Sequence, residues 1–364
     1  MTACDECLRR TALLARLAPH VERARGERRR LGELLALPDE ELIAALAGQR
    51  RADIERALEG FDAERTRAHM AASAMHAICR HADGYPARLL EADDAPAVLH
   101  VAGDVQRLAA LRPRDAPSVA IVGARRAGVD GLQVARGLGR GLAAAGVTVI
   151  SGMALGIDSA AHAGALEVDG PTIAILAGGA DVAYPASKRA LHRDLVRGQA
   201  VISEMPPGFK PFRWCFPARN RTIAGLASMT IVVEATERSG SLITADLAQQ
   251  LGRAVGAVPG PVTAPRCAGS NALLRDGGLV IRDAQDALDE VLGVGVATAL
   301  TGQRPQDLAP PLRRLLRRVE DGRDTVAALA ASPAEAREAL AGLAELEILG
   351  FLRRGPGGRY ARLL

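Results

Sequence analysis

The chain has 364 residues, enough for two or three domains, and 48% of them are hydrophobic, enough for a sizeable core. A net charge of +4 favours an acidic partner. No apolar run reaches transmembrane length, the N-terminus lacks the charged start and apolar core of a secretory signal, and five cysteines suit a reducing cytoplasm better than a disulfide scaffold.

In chain order, residues 1–80 read as an N-terminal helical domain. Leu13, Leu14 and Leu17 begin one apolar face, Leu31, Leu34, Leu35 and Leu37 another, and Leu42, Ile43 and Leu46 a third, with Pro38-Asp39 between two of the helices. The run Arg25–Arg30 reads as a solvated face. Cys4 and Cys7 form a C-x-x-C that could meet Cys79, and His76 or His81, only if the chain folded back. The spacing between the halves is too long for a zinc motif, so no metal is expected. Residues 81–117 are punctuated by Asp83-Gly84-Tyr85-Pro86, Asp94-Ala95-Pro96 and Pro113–Pro117. They read as a connecting segment with room only for short strands such as Val98–Val101.

At Ser118 a strand–helix alternation begins and runs to Leu292. Val119–Val122, Val147–Ile150, Thr172–Leu176, Ala200–Ser203, Thr230–Val233, Arg253–Val258 and Gly278–Ile281 read as strands separated by helices, which predicts a parallel sheet covered on both faces. Ligands of such sheets bind beyond the carboxyl ends of the strands. Polar and glycine-rich segments follow the strands there: Gly123-Ala124-Arg125-Arg126, Ser151-Gly152, Gly178-Gly179 and Ser239-Gly240. Gly137-Leu138-Gly139-Arg140-Gly141 lies inside a helix and reads as close packing rather than a dinucleotide fingerprint.

Between two of the strands lies Phe212-Arg213-Trp214-Cys215-Phe216-Pro217-Ala218-Arg219-Asn220-Arg221, with three arginines, two phenylalanines and the only tryptophan. Guanidinium groups take phosphates and rings stack on bases, so this stretch suits a single strand of nucleic acid. Pro217 is expected to break regular structure, with a helix starting near Arg219 whose first amides face the same anions. The other reading is a loop with its rings in the core and its arginines solvated. Asp158 and His162, at i and i+4, could serve a hydrolase or could be a helix-starting aspartate and a structural histidine. Glu204, Glu234 and Asp181 also sit at strand ends, without any accompanying nucleophile. The pattern favours binding over catalysis.

Residues 293–308 read as a linker. From 309 to 364 the sequence predicts three helices, the third with Ser332 as N-cap and Pro333 at its first position, then a basic hairpin: a winged helix. Glutamates 335, 338, 345 and 347 on its presumed recognition helix leave both DNA and protein open as partners.

The ordered loops resemble the DNA-processing protein A family (DprA, also called Smf). The residues that carry the resemblance are Val119–Arg125, Ser151–His162, Tyr184-Pro185, Ser203-Glu204, Phe216–Leu226, Val233–Ala235, Ser239–Ser241, Thr244-Ala245, Val258–Gly260 and Gly269–Asn271. The resemblance covers about residues 84 to 281. It implies an extended Rossmann-like domain that binds single-stranded DNA, protects incoming DNA in natural transformation and helps load RecA recombinase while displacing single-strand binding protein. It also implies a homodimer, with its dimer surface roughly over Ala248–Leu279, without enzymatic activity or cofactor. By position, Gly123 and Arg125 should grip phosphate, Arg213 and Phe216 should contact the strand, and Asn220 and Arg221 should line the same pocket. Arg126, Ser151, Gly152, Gly178, Gly179, Arg219, Ser239 and Gly240 complete the expected DNA-binding set. The family's usual hydroxyl residue is replaced here by Ala124, which leaves backbone amides to bind. Two rivals remain: a nucleotide-hydrolysing enzyme of the lysine decarboxylase-like phosphoribohydrolase group, whose characteristic glutamate loop is lacking around Glu237–Thr244, and a regulator acting through the winged helix.

Overall fold

The computed structural model describes residues 3–26, 31–294, 308–348 and 351–362. The expected charge run at Arg25–Arg30 and the expected linker at 293–308 fall mostly outside these residues. The chain divides into two compact units, Met1–Val291 and Leu292–Leu364.

The first unit opens with helices α1 (Asp5–Gly26), α2 (Leu31–Ala36), α3 (Asp39–Leu46), α4 (Arg51–Glu59) and α5 (Ala63–Ala72). Leu13, Leu17 and Val21 recur every fourth residue along α1 and are fully buried, as an amphipathic helix requires. They do not form a bundle apart. Their cluster includes Ala177, Met205, Trp214, Cys215 and Ala218 from the α/β part of the unit.

Strands β1 (Met75–Cys79) and β2 (Val98–Gly103) follow, then α6 (Val105–Ala109). The alternation continues as β3 (Ser118–Val122), α7 (Val129–Ala144), β4 (Thr148–Ser151), α8 (Ile157–Leu166), β5 (Thr172–Leu176), α9 (Arg189–Gly198) and β6 (Ala200–Ser203). It closes with α10 (Cys215–Leu226), β7 (Met229–Val232), α11 (Gly240–Gln250), β8 (Ala254–Ala257), α12 (Ala268–Arg275), β9 (Leu279–Val280) and α13 (Ala284–Leu292).

Among the described residues the strands form one nine-stranded sheet in the order β1-β2-β6-β5-β4-β3-β7-β8-β9. From β6 to β9 every pairing is parallel, and the runs β3 to β6 are buried throughout, as strands covered on both faces must be. The segment expected to be a connector instead extends this sheet, because β2 pairs antiparallel with both β6 and β1. Close helix packing explains Gly139 of α7: a Cβ there would lie 2.1 Å from the Ala161 carbonyl oxygen of α8.

The chain runs outward from β3 through β4, β5 and β6, then crosses back to place β7 on the other side of β3. The carboxyl ends of β3 and β7 therefore flank a topological switch point, where open α/β sheets hold ligands.

The second unit contains α14 (Pro310–Glu320), α15 (Val326–Leu329), α16 (Pro333–Ile348) and the hairpin β10 (Leu352–Arg354) and β11 (Tyr360–Arg362). Leu312, Leu316, Leu343, Leu346, Leu352 and Tyr360 share its core. This is the winged-helix arrangement the sequence predicts.

Candidate nucleic-acid interface

Helix α10 begins at Cys215, not near Arg219, with Pro217 in its first turn. Proline is tolerated there because the first amides of a helix have no internal partner anyway. The amide of Trp214, just ahead of the helix, donates to Glu22 at 2.9 Å, so it faces a carboxylate of α1 rather than an open anion site.

This earlier start sorts the side chains of the stretch by helical phase. Arg213, Phe216, Pro217, Asn220 and Ile223 line a pocket of about 760 Å³. Val122 at the end of β3 with Gly123 and Arg125 beyond it, Ala154 and Asp158 after β4, Tyr184 after β5, and Ser239–Ser241 after β7 enclose it, so four strand ends converge as the topology requires. A smaller cavity of about 160 Å³ adjoins it and shares Arg125, Ala154, Tyr184, Phe216 and Arg219, with Gly152 and Leu155 on its wall.

Phe216 is the centre of this surface. Its ring lies 5.5 Å from that of Tyr184, tilted by 52°, and the Arg125 guanidinium sits 5.4 Å from its centroid. Both contacts fix the ring at modest cost. Tyr184 is 45% exposed and was absent from the expected site set, although rings are scarce in this sequence. Arg125, Arg126 and Arg213 are exposed, Asn220 Nδ2 donates to the Gly240 carbonyl at 3.3 Å, and Ser239 caps α11 through the Ser241 amide at 3.4 Å. The amides opening α11 and the side chains of Arg125 and Arg213 therefore border one concavity.

Several expected contacts have other occupations. Trp214 is fully buried, and its indole N–H donates to the Ala18 carbonyl at 3.0 Å. Arg221 is clamped between Glu204 at 2.6 Å and Asp94 at 2.9 Å and does not line the pocket. Burial opposes its charge, yet the two carboxylates hold its pKa above the usual arginine value. Arg219 reaches the pocket wall, but its Nη1 donates to the carbonyls of Gly152 and Ile175, each at 2.7 Å. Burial pulls its pKa down, with Asp158 acting in the opposite direction. Gly152 has no room for a side chain, because a Cβ would lie 1.8 Å from that Nη1. Ser151 is buried with its hydroxyl donating to Ile121 O at 2.6 Å. Gly178 and Gly179 pack beneath the 206–211 loop: the Gly179 amide donates to Phe209 O at 2.9 Å, and a Cβ on Gly178 would press on that same oxygen and on Pro211. Neither glycine lines the pocket. Arg126 is exposed but lies outside both pocket walls.

The candidate acids and bases are similarly engaged. Asp158 accepts from the Gly152 amide at 3.1 Å, and burial raises its pKa. His162 is fully buried against Thr172 Oγ1 at 2.8 Å, and burial pushes its pKa down to about 3. Glu204 holds Arg221 and Thr222, Glu234 accepts from the Gly128 amide at 2.9 Å, and Asp181 accepts from the Gly208 amide at 2.9 Å. Apart from the pocket, the chain does fold back at its cysteines: Cys4, Cys7, Cys79 and His81 meet, and His76 is not among them.

Residues 76–292 match the family model described as DNA recombination-mediator protein A. The chain is 36% identical over 298 residues to protein Smf of Escherichia coli, covering 79% of this chain and 77% of that protein. It is 43% identical over 223 residues to a DNA processing protein DprA of Mycobacterium tuberculosis, and the match spans only 56% of that relative's length. The X-ray structure of DNA processing protein A from Streptococcus pneumoniae superposes with a TM-score of 0.62 at 32% identity, over 80% of this chain and 99% of that one. DNA processing protein A from Helicobacter pylori, whose structure was solved for its single-stranded DNA binding mode, superposes with a TM-score of 0.53 at 28% identity, over 60% of this chain and 95% of that one.

Proposed function

This chain belongs to the DNA recombination-mediator protein A family, and from that premise we propose that it binds single-stranded DNA in the pocket at the sheet's switch point. The observation that carries the reading is Phe216, a half-exposed ring held between Tyr184 and Arg125 with Arg213 and Asn220 on the same wall. A base stacks on the ring, and the arginines and the amides at the start of α11 take the flanking phosphates. Gly123 matters through its backbone, since a Cβ there would lie 2.7 Å from Ile157. Arg126 and Arg238 lie exposed on the segments that follow β3 and β7.

In the cell the protein would protect incoming or exposed single strands in the cytoplasm. It would act as a homodimer and pass the strand to RecA while displacing single-strand binding protein. No helix among the described residues is long and apolar enough to cross a membrane. The reading is one of binding without catalysis. It is supported by the candidate acids and bases at the strand ends, Asp158, Asp181, Glu204 and Glu234, each of which holds a backbone amide or an arginine.

The test is fluorescence anisotropy with a labelled mixed-sequence single strand and duplex as competitor. Phe216→Ala should cost about 1–3 kcal/mol of binding, Arg125→Ala and Arg213→Ala should each weaken binding and flatten its salt dependence, and duplex should compete poorly. Residues 1–291 alone should keep most of the affinity. Unchanged binding in all three variants, or loss of binding on removing residues 292–364, would move the site to the winged helix.

A further inference from the structure

Two pairs of ligand-type residues meet far from the pocket. Cys4 and Cys7 lie at the start of α1, while Cys79 ends β1 with His81 two residues beyond. The ligand atoms of all four lie within 4.8 Å of one another, although Cys4 and Cys79 are 75 positions apart. Sγ of Cys4 is 3.4 Å from His81 Nδ1, and Sγ of Cys7 is 3.5 Å from the same nitrogen. Zinc bonds of about 2.3 Å to sulfur and about 2.0 Å to nitrogen generate a tetrahedron with edges of roughly 3.5–3.8 Å. The sulfur–nitrogen separations here are therefore those of ligands around a common centre.

The surroundings fit thiolates. The Cys4 amide points at Cys79 Sγ from 3.4 Å. Such N–H···S contacts offset negative charge on a metal-bound thiolate. Burial of Cys7 and Cys79 alone would be ordinary for core thiols. What core packing does not explain is an exposed histidine turning its ring nitrogen onto two of the sulfurs.

We propose that Cys4, Cys7, Cys79 and His81 form a structural zinc site that clamps the start of α1 to the edge strand β1. Three sulfurs and an imidazole select a soft, tetrahedral ion over magnesium or calcium, and four protein ligands leave no open position for catalysis. The clamp has a consequence for the pocket. Helix α1 also supplies the Ala18 carbonyl and the Glu22 carboxylate that hold Trp214, two residues before Phe216.

The experiment is elemental analysis of the full chain purified without chelator, followed by cobalt substitution. The expected result is one zinc per chain and, with cobalt(II), the thiolate charge-transfer and intense visible bands of a tetrahedral site. His81→Ala should lower zinc affinity at least about tenfold, His81→Cys should retain the metal, and His76→Ala should change nothing. Chelation should lower the melting temperature of wild type but not of metal-free His81→Ala. Because Cys7 is buried, a Cys7→Ser variant tests folding as well as metal binding; the wild-type cobalt spectrum and the exposed His81 variants decide without it. The proposal is overturned by substoichiometric zinc that dialyses away with the melting temperature unchanged. Cobalt binding without a thiolate band, or a Cys4–Cys7 disulfide in the native protein, overturns it equally.

Discussion

Arg221 keeps its guanidinium between Glu204 and Asp94, with side-chain exposure of 11%, 8% and 22% for the three residues. Removing one member of a buried pair leaves the other charge without compensation, which costs roughly 3–5 kcal/mol. Arg221→Ala should therefore lower the urea midpoint sharply, while Arg213→Ala, at an exposed position, should move stability by no more than about 0.5 kcal/mol and yet weaken DNA binding. Equal effects of the two substitutions on stability would refute this division. The sequence showed that cations and rings were concentrated here but not which of them faced outward. That depends on helical phase. Arg213, Phe216, Asn220 and Ile223 follow one another at intervals of three and four, whereas Trp214 and Ala218 fall on the buried side. Reading Pro217 as a break hid that phase, and with it the difference between Arg213 and Arg221.

At the scale of elements, α1 shows what an amphipathic pattern can and cannot specify. Its apolar stripe was legible and is buried as expected, but a stripe says only that something covers it. Here the cover includes Trp214 and Ala218 of the α/β part, a pairing of residues some two hundred positions apart that no local pattern encodes. Strand β1 was not readable, and β2 was readable only as a short strand within a connector, for a related reason: β1 gains its pairing from β2, and β2 from β6, which lies much later in the chain. The strands and helices from β3 to β8, by contrast, each carry their own apolar run or period and were readable one at a time. If α1 to α5 are part of this core, a chain starting at residue 73 should expose Trp214. Its fluorescence should shift to the red relative to the full chain, and the protein should aggregate. A soluble fragment with unshifted emission would show the helices to be a separable domain.

Across the whole molecule, all seven histidines lie in Met1–Val291, so acid acts on that unit and not on the winged helix through histidine. Two of them are buried without charge: burial pushes the pKa of His100 down to about 4 and that of His162 to about 3, from an ordinary value of 6.5. Above pH 6.5 neither the folded nor the unfolded chain protonates them, and their contribution to stability is constant. Below it the unfolded chain takes up protons that the folded chain refuses, so stability falls by about 1.4 kcal/mol per pH unit for each histidine. Asp158 acts with the opposite sign, because burial raises its folded pKa and protonation then favours the folded state. From pH 7 to pH 5 the histidines should together cost about 4 kcal/mol before that offset. Trp214, the only tryptophan, reports unfolding of this unit alone, so urea titrations followed by its fluorescence should show a midpoint that drops steadily with pH. His162→Gln, which cannot titrate, should reduce the slope by about half if the two histidines contribute equally. A midpoint that stays flat to pH 5 would mean that these imidazoles accept protons in the folded state, and that the packing of β2 and α8 opens to water far more readily than their burial implies.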